Sequence, residues 1–215
     1  ICLDELPTDL SKLMRFTCCG KTCHFVCQMN VMKSTMPDDL KYRCHQCRKP
    51  SPTTNEEGIK RVREWLDKGE AWAQNMMAQW YRDGDHGLKQ SFVMAAMLYE
   101  KAVAQGDPGA MYGLALLYKD GDGVAQSFKK AVELWTMAAE QGNVLAMFNL
   151  GCMHRDGKGV EKSLKKAAEL YTMAADQGQV KAMNSLGFLY AKGHGVVQSY
   201  TKAAELYTMA ANKSS

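Results

Sequence analysis

Ala146-Met147-Phe148-Asn149-Leu150-Gly151-Cys152-Met153-His154 has a counterpart 36 residues earlier and another 36 residues later. The first is Ala110-Met111-Tyr112-Gly113-Leu114-Ala115-Leu116-Leu117-Tyr118, and the second is Ala182-Met183-Asn184-Ser185-Leu186-Gly187-Phe188-Leu189-Tyr190. Ala73 to Tyr81 is a degenerate copy offset by 37, because Asp85-His86-Gly87 carries one extra residue. Self-similarity at this period marks a solenoid, in which each unit buries an apolar face only by stacking on its neighbours. Four units are expected, over about 70–108, 109–144, 145–180 and 181–215.

Each unit reads as two amphipathic helices. Met147, Leu150, Gly151 and His154 recur at three- and four-residue steps, the spacing of one helix face. A Gly-x-Gly turn follows in Gly121-Asp122-Gly123, Gly157-Lys158-Gly159 and Gly193-His194-Gly195. Ser127, Ser163 and Ser199 then stand where a helix N-cap is wanted. The second helix carries Ala-Ala-Glu-Leu-Tyr-Thr-Met-Ala-Ala, as in Ala167–Ala175 and Ala203–Ala211, and Gln141-Gly142 and Gln177-Gly178 end it. Leu170, Tyr171 and Ala174 supply its apolar stripe. Met137, Met173 and Met209 share one repeat position and are expected to fill the core. Tyr118 and Tyr190 are expected between repeats, with His154 partly exposed in their place. The glycine pairs lack a preceding strand and are read as helix–helix turns, not phosphate cradles.

The other informative segment is N-terminal. Seven of eight cysteines lie within the first 47 residues: Cys2, Cys18, Cys19, Cys23, Cys27, Cys44 and Cys47. Cys44-His45-Gln46-Cys47 is a knuckle that can hold one tetrahedral ion, and His24 and Cys27 repeat its two-residue gap. An odd number of cysteines with interleaved histidines suits zinc better than a disulfide framework. Thioredoxin-like redox chemistry would need an alternating strand–helix pattern, which is absent from the sequence around Cys44 and Cys47. The lone Cys152 is read as packing. Pro50, Pro52 and Thr53-Thr54 divide the two parts. Residues 53–69 are read as a linker and a charged capping helix, with Ile59, Val62, Trp65 and Leu66 on one face; a free recognition helix is the alternative.

Charge narrows the function classes. Residues 1–52 hold eight Lys or Arg against five Asp or Glu, and the rest 19 against 18. That excess falls far short of a nucleic-acid-binding stripe, so no nucleic-acid partner is expected. No run of about 18 apolar residues occurs in this segment, so no membrane span is expected there.

The repeats resemble Sel1-like repeats: alanine before a Leu-Gly pair, a Gly-x-Gly-Val turn, Lys-Ala on the second helix and Ala-Ala-x-Gln-Gly at its end. The resemblance covers roughly residues 70–212 and implies a mainly α fold, an α-solenoid whose concave face holds peptides or protein surfaces. First-helix positions Tyr112, Phe148 and Asn184 are candidate partner contacts on that face.

The first 48 residues or so resemble a RING finger, a small cross-braced zinc-binding domain, here over residues 1–52. The resemblance implies Cys2, His24 and Cys27 at one zinc, with a further cysteine preceding Ile1, and Cys18, Cys19, Cys44 and Cys47 at a second. Two zinc ions are expected in the full-length protein. Lys21 stands where the usual pattern has a histidine, which is why Cys18 and Cys19 are taken as the pair. A chain opening on Ile1 is read as a fragment whose true N-terminus lies elsewhere. Three ligands and a water would describe a catalytic zinc, but the missing ligand is assigned to that cut. RING fingers recruit a ubiquitin-charged conjugating enzyme, and Ile1 and Arg48 occupy the slots of an apolar contact and of a bridging arginine. The combined expectation is an intracellular, cytoplasmic adaptor with RING-type ubiquitin-ligase activity. Such activity works by positioning, without a covalent intermediate. Its repeats recruit a substrate or complex partner. The competing reading is a non-catalytic zinc-containing scaffold.

Overall fold

The computed structural model describes the backbone of residues 13–15 and 22–24, then residues 54–214, with side chains through 213. Strands β1 (Leu13–Arg15) and β2 (Thr22–His24) pair antiparallel, with Met14 opposite Cys23. The chain divides into two compact units, residues 1–105 and 106–215.

In the first unit, helix α1 (Asn55–Leu66) opens on an N-cap: the Thr54 hydroxyl accepts from the Glu57 N–H at 3.2 Å, and Glu57 also pairs with Arg61. Glu56 and Glu57 place negative charge at its positive end. Gly58, Ile59 and Val62 are buried and α1 packs on α2 (Ala71–Asp83), which packs in turn on α3 (Phe92–Val103). The Trp65 and Trp72 rings meet at 6.0 Å across the first junction, and Lys68 stands over Trp65 at 3.9 Å. Gln105 donates to the Gly69 carbonyl and to Gln74 Oε1, both at 2.9 Å, tying the end of the first repeat to the turn between α1 and α2.

The second unit holds α4 (Pro108–Asp120), α5 (Phe128–Glu140), α6 (Val144–Asp156), α7 (Leu164–Asp176), α8 (Val180–Lys192) and α9 (Tyr200–Ser214). Each packs on its neighbours in sequence, α4 on α5, α5 on α6 and onward to α9. Short connections make successive helices antiparallel, so α5, α7 and α9 all run one way. Every second helix starts on a serine: Ser127, Ser163 and Ser199 accept from the N–H three residues on at 3.3, 3.2 and 3.3 Å. Every first helix ends at a left-handed glycine, Gly121, Gly157 or Gly193. The serine N–H closes the hairpin by donating back to the Tyr118, His154 or Tyr190 carbonyl at 2.8 to 2.9 Å.

The core is built from large residues set among alanines. Trp135 and Tyr171 are fully buried on the second helices, flanked by Ala131, Ala138, Ala167 and Ala174. Met111, Leu117, Met147, Leu150, Met183 and Leu189 are buried on the first helices. Each such side chain contributes about 1.5–3 kcal/mol relative to exposure. His154 is buried at 8%, not partly exposed, because its position lies on the packed face of α6 one turn beyond Leu150; its Nδ1 lies 3.3 Å from the Glu161 carbonyl. Met137, Met173 and Met209 are not core: they are 44, 50 and 50% exposed.

Candidate functional site

Tyr112, Phe148 and Asn184 occupy one equivalent position on α4, α6 and α8, set by the 36-residue period. Tyr112 and Phe148 are half-buried, whereas Asn184 is exposed. Phe148 leans on Tyr171 of the second helix in its own repeat, ring centroids 5.7 Å apart. The glycine three residues on makes that approach feasible: a Cβ on Gly151 would lie 2.6 Å from Tyr171 Cε1. The same relation joins Gly187 to Tyr207, at 3.0 Å.

One turn further along each first helix stand Leu116, Cys152 and Phe188, and after them Lys119, Arg155 and Ala191. Sequence reasoning took Cys152 as packing and named neither row as a surface, although steps of four and seven from Tyr112 place them on the same face. Phe188 is 49% exposed, and Leu116 and Cys152 are half-buried. The Tyr171 hydroxyl donates to Cys152 Sγ at 3.4 Å. Burial, reinforced by that bond, pushes the Tyr171 phenol well above its ordinary range. Trp135 holds the Tyr171 position of the preceding repeat, where Leu116 stands at the Cys152 position, and its buried Nε1 has no hydrogen-bond partner among the described residues.

The basic row is paired within its own helix. Arg155 Nε donates to Asp156 at 2.7 Å, and Lys119 Nζ lies 3.0 Å from Asp120. The Arg155 hydrogen bond holds the Asp156 carboxyl below the usual carboxylate range and raises the guanidinium further. The first repeat has the same device, where Arg82 lowers Asp83 chiefly by hydrogen bonding. The face thus offers aromatic and aliphatic surface edged by guanidinium and ammonium groups. It suits contact with a protein segment.

The metal-ligand candidates Cys2, Cys18, Cys19, Cys27, Cys44 and Cys47, with Ile1 and Arg48, lie outside the described residues. His24 ends β2 and is described by its backbone alone. Among the described residues no group of three or more His, Cys, Asp or Glu is placed to hold a metal. No helix among them is long and apolar enough to cross a membrane.

The Sel1 repeat family model matches residues 73–107, 108–143, 144–179 and 180–215. Among solved structures, a protective antigen present in uropathogenic Escherichia coli strains and displaying an SLR fold is 28% identical with a TM-score of 0.72, over 76% of this chain and 35% of that one. A Sel1 repeat protein from Oxalobacter formigenes is also 28% identical, with a TM-score of 0.71, over 77% of this chain and 67% of that one. An immunity protein from Pseudomonas aeruginosa, 21% identical with a TM-score of 0.50 over 87% and 64%, shares the fold alone. The chain therefore spans about a third of the first of these structures. No curated protein matches the chain closely enough to count as a relative.

Proposed function

The chain belongs to the Sel1-repeat family, and on that premise we propose that it is an adaptor holding two protein partners, one on its first-helix rows and one on its cysteine-rich segment. The observation that carries the reading is the register of the rows. Tyr112 with Leu116, Phe148 with Cys152, and Phe188 recur at equivalent positions beside the Lys119–Asp120 and Arg155–Asp156 pairs, an apolar surface with a polar edge that supports docking of a peptide segment. Tyr112→Ala with Phe148→Ala, together with Arg155→Gln, should weaken partner capture without changing helix content. A partner that binds this triple variant as tightly as the parent would remove the rows from consideration.

For the cysteine-rich segment the proposal is a RING-type finger with structural zinc, recruiting a ubiquitin-charged conjugating enzyme through Ile1 and Arg48. The support is chemical: thiolates and imidazole at two-residue gaps suit a tetrahedral soft-ligand ion, and binding such an ion supplies folding free energy to a segment of this size. The proposed donors are Cys2, His24 and Cys27 at one ion and Cys18, Cys19, Cys44 and Cys47 at the other. Metal analysis of the full-length protein should return two zinc ions per chain, as the RING resemblance implies. Incubation with a panel of charged conjugating enzymes should release ubiquitin, and Arg48→Ala should slow it. Zinc without discharge favours the non-catalytic scaffold; absence of zinc ends both forms of the reading.

A further inference from the structure

Helix α3 departs from the other second helices on its outer surface. Val93, Met94 and Met97 are 57, 41 and 50% exposed there. Their counterparts 36 residues on are Lys129, Lys130 and Glu133, and one period further Lys165, Lys166 and Glu169, all exposed. In the last copy they are Thr201, Lys202 and Glu205, exposed as well. At about 100° per residue, the three apolar side chains share one arc of α3, on the side away from buried Ala95, Tyr99 and Ala102. They lie at the start of the helix, which Ser91 caps. Around them stand exposed Lys89, Glu100 and Lys101, a mixed set of charges that favours no partner of one sign. The fold does not require apolar residues here, since α5 and α7 have the same serine cap and the same packed face with charged residues outside.

We propose that this apolar triad seats the chain's own cysteine-rich segment, residues 1–53. The argument is where that segment joins the fold. It enters at Thr54, the N-cap of α1. Successive helices joined by short connections alternate in direction, so α1 and α3 run the same way and start at the same end of the unit. Both pack on α2. Packed helices lie about 8–10 Å apart, so two that share a neighbour have axes at most about 20 Å apart. Six extended residues span about 20 Å, and chain preceding Arg48 can therefore reach Val93, Met94 and Met97. A tether of that length holds the segment at an effective concentration on the order of millimolar, an advantage no separate partner has. The segment also carries side chains such a seat takes. Phe25-Val26 and Val31-Met32 are among its apolar residues, and a segment of about 50 residues leaves much of its apolar surface outside any core of its own. Docking would fix the direction of the cysteine-rich segment relative to α1–α3, so that a partner bound there is presented at a set angle. The inference goes beyond the adaptor reading and stands whether or not the segment takes zinc.

A photo-crosslinking benzoylphenylalanine in place of Met97 tests the occupant directly in the whole chain. Irradiation at low protein concentration should join it to peptides from residues 1–53 of the same chain, identified by mass spectrometry. A second variant, V93K/M94K/M97E, gives α3 the residues that α5 carries at these exposed positions and so keeps the helix. It should release the segment. Chymotrypsin should then cut after Leu40 or Tyr42 at least about fivefold faster than in the parent, because cleavage follows the undocked population, while far-UV circular dichroism stays unchanged. Crosslinks between two chains would assign the triad to a second copy and overturn the proposal. Crosslinks confined to residues 54–105, or none at all, would also overturn it, as would equal cleavage of the variant and the parent.

Discussion

Gly159 is where a single methyl group should do the most damage. Its φ is +71°, in the left-handed region that a side chain resists, and its missing Cβ would lie 2.5 Å from the Phe128 carbonyl oxygen at the start of α5. Gly142 and Gly157 separate these two effects. Gly142 has φ +83° with open space around its Cβ position, and Gly157 has φ +70° with Lys162 Cβ at 3.0 Å. Left-handed backbone alone costs a non-glycine residue about 1–2 kcal/mol, so Gly142→Ala should lose about that much. Gly157→Ala should lose somewhat more, since Lys162 Cβ is held by its own backbone and must shift by a few tenths of an ångström. Gly159→Ala adds overpacking against a main-chain carbonyl that cannot rotate away, about 1–3 kcal/mol further, for about 2–5 kcal/mol in all. Urea unfolding followed by far-UV circular dichroism measures the series. Since Gly159 belongs to one repeat and Phe128 to the one before, Gly159→Ala should also lower the m-value by uncoupling them. If Gly159→Ala falls within about 0.5 kcal/mol of Gly142→Ala, the backbone contact does not exist as described and the reasoning fails.

Gly151→Ala and Gly187→Ala make a second matched pair. Tyr171 is fully buried and cannot retreat from a Cβ at 2.6 Å, whereas Tyr207 is 42% exposed and can swing clear. Calorimetry should show loss of stability in the first, and in the second a near-neutral change or a gain of up to about 1 kcal/mol from helix propensity. Ser163→Ala should cost about 1 kcal/mol by removing the cap on α7, and Ser163→Gly only a few tenths. The Asp156 carboxyl is lowered by Arg155, so its stabilisation is present above the unfolded-state value of about 3.9 and is lost as pH falls through the lower folded-state value. With both side chains about a third or more exposed, the effect is at most about 0.5 kcal/mol. Comparing stability at acid and neutral pH, Asp156→Asn should flatten this part of the profile, and a steeper profile would contradict the sign.

The repeats were readable because their punctuation is covalent in origin. Glycines that end α4, α6 and α8, and serines that begin α5, α7 and α9, do so through their own backbone freedom and side-chain chemistry, so spacing alone located the hairpins. Two readings failed where residue type was allowed to outrank position. Met173 lies two residues past buried Tyr171, about 200° around the helix, on the side away from Ala167, Ala168, Ala174 and Ala175. Its apolar character suggested the core, but its angle places it outside. His154 errs the other way: a polar ring on the face shared by Met147, Leu150 and Gly151 goes inside with them. The two rows beyond Tyr112 were missed because half-buried positions leave no strong periodic mark. Cysteine spacing identifies ligand chemistry at the N-terminus, but a zinc site is a property of four converging side chains, which a one-dimensional spacing constrains without fixing.

The close seat of Gly159 on the Phe128 carbonyl, and of Gly195 on that of Leu164, also bears on how such a protein can change over time. Each contact is made by main-chain atoms of the preceding helix, so the side chain there is free to vary, as phenylalanine and leucine already do. What cannot vary is the count of residues between the glycine and the helix that follows. Drift by substitution is therefore cheap on the receiving side of each joint. An insertion or deletion within the joint shifts every later repeat out of step, and the natural place for added length is outside it.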